Sequence, residues 1–324
     1  METSARFEDA YRVGALIANG GFGSVHLCLR VGESAVTTPL VVKTVRFADN
    51  TQARRRVDAE PTTLRRLDQC AKQAPHMASM FPSLVDVFFA GGDVKLVMTQ
   101  CFGNSSKTLH QLRLDASNQK LPESEIKHYA SEILKALNYL HSVIKTAHGD
   151  VKPENVLVGS DGNIKIALID FHCSVGLRRG DDIDTSADKI GTLDTHINPN
   201  SNPEESSVQV FGTPEYLAPE TLDGKSITQK SDLYQLGVLM FDLCFGFSPF
   251  ASSFGFSQHT FSKIRKGEVR WPGGSSATEY QESKPFIDCV KALIVKEPNA
   301  RLSFDELKRH EFFAGVEWGE SKRR

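Results

Sequence analysis

An aspartate, a lysine and an asparagine fall within six positions at Asp150, Lys152 and Asn155, in the run His148-Gly149-Asp150-Val151-Lys152-Pro153-Glu154-Asn155. Another aspartate, Asp170, stands 20 positions after Asp150 and closes the apolar run Ile166-Ala167-Leu168-Ile169. One carboxylate can orient a hydroxyl and take its proton. An amide and a second carboxylate can hold a divalent cation through oxygen, and an ammonium can neutralise a phosphate. Those are the requirements of phosphoryl transfer. Read singly, each residue is as easily a loop-capping side chain; the spacing of all four is what points to chemistry.

Upstream, Gly20-Gly21-Phe22-Gly23-Ser24-Val25 joins two candidate strands. Glycines let a backbone approach a phosphate and turn its N–H groups toward it, although a plain glycine-rich hairpin explains the run equally well. Lys43 ends the apolar strand Leu40-Val41-Val42. A lysine closing a buried strand is usually just snorkelling. Glu60, followed by Leu64 and Leu67, is the candidate carboxylate partner for Lys43 on the next helix. Pro61 directly after it predicts a kink or restart, because proline removes a helical donor and disfavours the α conformation of the residue before it.

The elements that must position these groups differ between the two parts of the chain. Short β-branched runs at 13–17, 25–29, 40–45, 84–89 and 95–98, with one helical stretch at 51–69, predict a small sheet carrying a single helix. The polar stretch 103–107 reads as a hinge. Beyond it, Ile126, Tyr129, Ala130, Ile133, Leu134, Leu137 and Leu140 recur with helical spacing after Pro122. A helix over 229–245, apolar nearly all round, should be buried. Shorter helices fit 260–266, 285–295 and 303–310. The segment 180–207 is rich in Asp, Ser, Thr, Asn and Pro and reads as a long polar insert.

Composition bounds the function. The chain has 324 residues, 40% hydrophobic and 24% charged, and a net charge of -2, which argues against non-specific nucleic-acid binding. Six cysteines lie far apart without a Cys-x-x-Cys pair, which fits reduced thiols rather than a zinc site or disulfide scaffold. The N-terminus has neither a signal-peptide core nor a myristoylation glycine, and the apolar run 236–245 is too short to span a bilayer. A soluble cytoplasmic protein, or a nuclear one, with no membrane segment is expected.

The combined motifs resemble the eukaryotic protein kinase superfamily. Gly212-Thr213-Pro214-Glu215-Tyr216-Leu217-Ala218-Pro219-Glu220 is similar to the end of a kinase activation segment, and Lys152-Pro153-Glu154 is similar to the serine/threonine type. The run from His310 to Trp318, with Lys263 to Pro272, resembles the AGC group; only residues 319–324 follow Trp318 here, without that group's long tail. The resemblance spans about 11–318 and implies one bilobal α+β kinase domain. Its small β-rich N-lobe would cover about 11–100 and its larger, mainly helical C-lobe about 103–318.

The resemblance also implies ATP and Mg2+ as cofactors and protein serine or threonine hydroxyls as substrates. It makes Asp150 and Lys152 catalytic and Asn155 and Asp170 metal ligands. It places nucleotide against Ile17, Gly20, Gly21, Phe22, Gly23, Val25, Lys43, Glu60, Met98 as gatekeeper, Thr99 and Cys101. Glu220 would pair with Arg301, and Asp232 would brace the catalytic loop. Glu154 and Asp242 occupy positions that meet substrate arginines in basophilic relatives, so upstream basic residues are the expected preference. Two solvent-facing carboxylates would explain them equally.

Four departures qualify the resemblance. Ala18 replaces the first glycine of the phosphate loop, and Gly149 replaces the arginine before the catalytic aspartate, which weakens control by loop phosphorylation. His172 replaces the glycine after Asp170-Phe171 and could hold Asp170 either in or out. The stretch from Asp170 to Glu220 is long, with Gln209 where AGC kinases carry a phosphothreonine and Ser206 and Ser207 nearby. The expectation is an active kinase, constitutively competent or controlled by a regulatory partner. The alternative is a pseudokinase scaffold that binds nucleotide and tunes another protein.

Overall fold

The computed structural model describes residues 6–20, 23–33, 39–46, 51–90, 93–103, 106–159, 166–177, 214–251, 257–272 and 282–319. Gly21, Phe22, the 180–207 insert, Ser206, Ser207, Gln209, Gly212 and Thr213 lie outside them. The chain divides into two compact units, Met1–Lys107 with Leu157–Ser174, and Thr108–Val156 with Val175–Arg324.

The smaller unit is built on a five-stranded antiparallel sheet, ordered β1-β2-β3-β5-β4. Its strands are β1 (Tyr11–Gly20), β2 (Gly23–Arg30), β3 (Leu40–Arg46), β4 (Leu84–Ala90) and β5 (Asp93–Thr99). The predicted β-branched runs all fall on these strands. Val42, Leu96 and Val97 are buried between the sheet and its cover. The cover includes α1 (Phe7–Ala10), α2 (Thr51–Ala71) and α3 (Pro75–Ala78). Phe7 stacks on Tyr11 at 5.6 Å and meets Phe88 edge-on at 5.4 Å, closing one end of this core.

Two local features set the geometry of the chemistry. Gly20 pairs with Gly23 across the β1–β2 turn. Gly23 has φ +150°, and a Cβ there would lie 1.9 Å from the Thr44 carbonyl oxygen, so no other residue fits without moving β3. The restart expected at Pro61 does not occur: α2 continues through it. Proline removes one backbone donor, while Leu64 and Leu67 beyond it are buried and anchor the C-terminal half. The segment after strand Ile166–Leu168 returns to this unit, with the Leu168 amide bonded to the Met80 carbonyl at 2.9 Å and Phe171 beside Phe81.

The larger unit is helical. It contains α4 (Leu109–Asp115), α5 (Glu123–Tyr139), α6 (Pro219–Leu222), α7 (Gln229–Phe245), α8 (Ser257–Lys266), α9 (Lys284–Leu293) and α10 (Phe304–Arg309). The apolar stripe predicted on α5 is buried, and α7 is buried at every position from Ser231 to Phe245. Thr228 and Ser231 form a reciprocal cap at the start of α7, and Gly246 at φ +79° ends it. A Cβ at Gly237 would lie 2.6 Å from the Leu293 Cβ, so α7 and α9 approach closely only because this residue is glycine. Helices α1, α3, α4 and α6 went unpredicted because four to seven residues are too few to show a 3.6-residue period. No helix among the described residues is long and apolar enough to cross a membrane.

Candidate active site

In the smaller unit one part-buried polar knot gathers three of the predicted residues. Lys43 sits mid-sheet, paired with Val25 on β2 and Leu96 on β5, not at a strand end as its sequence context had it. Its Nζ donates to Glu60 Oε2 at 2.6 Å and to Asp170 Oδ1 at 2.7 Å. Burial disfavours the ammonium, but Glu60 and Asp170 outweigh that cost and raise the Lys43 pKa. Burial likewise opposes ionisation of Asp170; Lys43 and a hydrogen bond from His172 overcome it and hold the carboxyl well below the usual range.

His172, the residue in place of glycine, bonds Asp170 directly: Nδ1 lies 2.6 Å from Oδ1. Desolvation works against the imidazolium, yet Asp170 and Cys173 together outweigh it and raise its pKa to about 11. The neighbouring backbone is tied to α2, with the Phe171 amide donating to Glu60 Oε1 at 3.4 Å. The question that the sequence left open is therefore answered geometrically: Asp170 is held in, against Lys43.

The other residues expected at nucleotide lie on the same unit. Ile17 and Gly20 are on β1, Gly23 and Val25 on β2, and Met98 and Thr99 on β5, with Cys101 just beyond. Ile17 is half-exposed, whereas Met98 is buried between Val41 and Leu84 in the sheet register. Thr99 Oγ1 accepts the Ser83 amide at 2.9 Å. Burial pushes the Cys101 thiol up to about 12.

The larger unit carries Asp150, the residue that the family resemblance casts as hydroxyl-orienting. Asn155 Nδ2 donates to the Asp150 carbonyl and to Asp150 Oδ2, both at 2.8 Å, and Lys152 Nζ lies 2.8 Å from the same carboxylate oxygen. The loop beneath is held by α7. Asp232 accepts the His148 amide and the Gly149 amide at 2.8 Å each, and His141 Nε2 at 2.7 Å. Gln235, one turn along, accepts the Val151 amide at 2.9 Å and donates to the Gly149 carbonyl at 3.0 Å. Gln235 escaped the sequence reading, although its i+3 spacing from Asp232 on a buried helix was the available signal. Gly149 has φ +81°, a conformation that glycine adopts without the steric cost an arginine would meet.

Around this loop the predicted Glu220–Arg301 pair forms bidentately, at 2.7 and 2.6 Å. The remaining Arg301 N–H groups reach the carbonyls of Lys230, Val295 and Lys296, so all five donors are used. Asp242 is not solvent-facing: it is buried, accepts the Tyr216 hydroxyl at 2.9 Å and lies 3.6 Å from Arg113 Nε. Glu154 remains more open and pairs with His110 at 3.2 Å.

The donor chemistry fits a small hard cation. Asn155 spends its amide nitrogen on Asp150, which leaves the amide oxygen for a metal. Both donors to Asp170 fall on Oδ1, and Oδ2 accepts none from a described residue. A carboxylate oxygen on the smaller unit and an amide oxygen on the larger are each the hard ligand type that Mg2+ takes.

Comparison with known proteins agrees. The sequence profile of the protein kinase domain matches residues 11–313. The chain is 35% identical to probable serine/threonine protein kinase IRE4 of Arabidopsis thaliana over 61% of its own length and 19% of that protein. Similarity to flippase kinase 1 of Saccharomyces cerevisiae is 32% over 69% of this chain and 24% of that one. Serine/threonine-protein kinase UCN of Arabidopsis thaliana is 26% identical over 96% of this chain and 81% of its own. The chain thus spans about a fifth to a quarter of the first two. A five-stranded sheet carrying a Lys43–Glu60–Asp170 knot, a braced Asp150 loop and a profile match along most of the sequence lead to one assignment: the chain belongs to the protein kinase domain family.

Proposed function

We propose that the chain is an active serine/threonine protein kinase that transfers the γ-phosphate of Mg·ATP to protein hydroxyls. The observation that carries this reading is the Asp150 carboxylate, held by Asn155 and Lys152 on a loop whose backbone is bonded to Asp232 and Gln235. A protein kinase domain uses ATP with a divalent metal, and Mg2+ is the ion that Asn155 and Asp170 suit, supplying charge neutralisation at the phosphates.

Asp150 orients the substrate hydroxyl and accepts its proton as the oxygen bonds to the γ-phosphorus and the bond to the β,γ-bridging oxygen breaks. Lys152 neutralises the transferred group. Lys43 holds the α- and β-phosphates while Glu60 fixes its ammonium. Preorganisation of these charges lowers the barrier. The nucleotide lies under the Gly20–Gly23 turn, with adenine toward Thr99 and Cys101. Upstream basic residues remain the proposed preference. Glu154 is its main determinant, since Asp242 already serves Tyr216 and Arg113. Six free thiols suit the cytoplasm or nucleus.

The test follows 32P transfer from ATP to a basic serine peptide in the presence of Mg2+. Asp150→Asn should abolish transfer and leave ATP affinity intact. An ATP-binding wild type that transfers nothing would overturn the enzyme in favour of the scaffold.

A further inference from the structure

Asp170 has φ +66°, a backbone conformation that costs a non-glycine residue free energy unless its surroundings hold it. The residue two positions on, where a glycine would leave the chain free to leave that conformation, is instead a histidine whose ring reaches back to the carboxylate. His172 Nδ1 and Lys43 Nζ both donate to Oδ1, from opposite sides of the sequence, and Oδ2 accepts nothing from a described residue. A carboxylate gripped twice by one oxygen cannot rotate without losing both bonds.

The rest of the turn is fastened to α2 as well. The Phe171 amide donates to Glu60, and the Phe171 ring is fully buried. The Ser174 amide bonds the Phe171 carbonyl at 3.0 Å, closing the turn, and Ser174 Oγ lies 2.7 Å from Thr63 Oγ1. Residues 170–174 are therefore tied at both ends by side chains of this unit.

We propose that His172 is a positioning residue for the Asp170 carboxylate: its Nδ1–H fixes Oδ1, presents Oδ2 to the divalent metal, and keeps the 170–174 turn ordered before metal or nucleotide binds. The metal-facing half of this statement rests on the kinase reading; the ordering half does not. The histidine does by hydrogen bonding what a glycine at this position leaves to the surroundings.

The experiment compares wild type with His172→Gly, His172→Leu and His172→Asn in the full chain. Hydrogen exchange of the peptide covering 169–174 is read without ligand, and ATP affinity is measured with and without Mg2+. Asn can place a donor where Nδ1 sits, Leu keeps the bulk without the donor, and Gly removes both. Leu and Gly should accelerate exchange about ten- to a hundredfold, the factor expected for losing one hydrogen bond to a charged group. They should also diminish the tightening of ATP by Mg2+ while metal-free affinity is kept, and Asn should restore both. Wild-type exchange in Leu, or no rescue by Asn, would overturn the proposal. A wild type that binds no ATP would sink the kinase reading instead, and the exchange comparison would still decide the role of His172.

Discussion

Replacing Asp232 by asparagine should damage the Asp150 loop, whose His148 and Gly149 amides lie 84 and 83 positions away in sequence yet within hydrogen-bond distance in space. Asp232 is fully buried and accepts three N–H groups: the His148 amide and His141 Nε2 on Oδ2, and the Gly149 amide on Oδ1. Asparagine offers one acceptor oxygen. If it takes the place of Oδ2, its NH2 faces the Gly149 N–H, so one bond is lost and one buried donor is left opposite another. A buried donor left unpaired costs about 1–3 kcal/mol, and two confronted donors bring the expected loss to about 2–4 kcal/mol. A domain with about 5–15 kcal/mol of stability survives that, so the variant can be purified.

Urea unfolding followed by far-UV circular dichroism would measure the loss, and kcat for peptide phosphorylation would measure its consequence at Asp150, two residues from His148. We expect kcat to fall at least tenfold with KM for ATP nearly unchanged, because Lys43, Glu60 and Asp170 belong to the other unit. A stability loss under about 0.5 kcal/mol, or a kcat equal to wild type, would refute the claim that α7 holds the loop in shape.

Other consequences follow from the same contacts. Arg301→Met strands Glu220 without its guanidinium and should cost about 3–5 kcal/mol in chemical denaturation. Adding Glu220→Gln should recover part of that loss, and simple additivity would contradict the buried-pair account. Because the folded-state pKa of His172 is raised to about 11, its ion pair contributes fully below the unfolded value near 6.5 and is lost as pH climbs toward 11. Denaturation midpoints should therefore fall between pH 7 and 10 more steeply in wild type than in His172→Asn; parallel profiles would oppose this. The Tyr234 hydroxyl is buried without a hydrogen-bond partner among the described residues. Tyr234→Phe should hence be neutral or stabilising by up to about 1 kcal/mol, keeping the ring under Arg301, and a clear loss in thermal melts would reveal a missed partner.

The sequence by itself determined the family and most of the scaffold. Asp150, Lys152, Asn155 and Asp170 are diagnostic because their spacing is local, and the strands and long helices show because their apolar residues keep a regular period over many positions. The Glu220–Arg301 pair and the Asp232 brace were legible through family likeness, since nothing in local patterning reports that residues 81 apart meet; the order of strands came from the structure. What the tertiary structure alone decided were contests between local rule and long-range packing. Local propensity predicted that Pro61 would interrupt α2, but burial of Leu64 and Leu67 carries the helix through and delivers Glu60 to Lys43. Asp242 looked like an open carboxylate until Tyr216 and Arg113 were seen to occupy it. His172 could have held Asp170 in either state. Only the simultaneous approach of Lys43, from a strand far away in the chain, fixes which oxygen is gripped and which accepts nothing from a described residue.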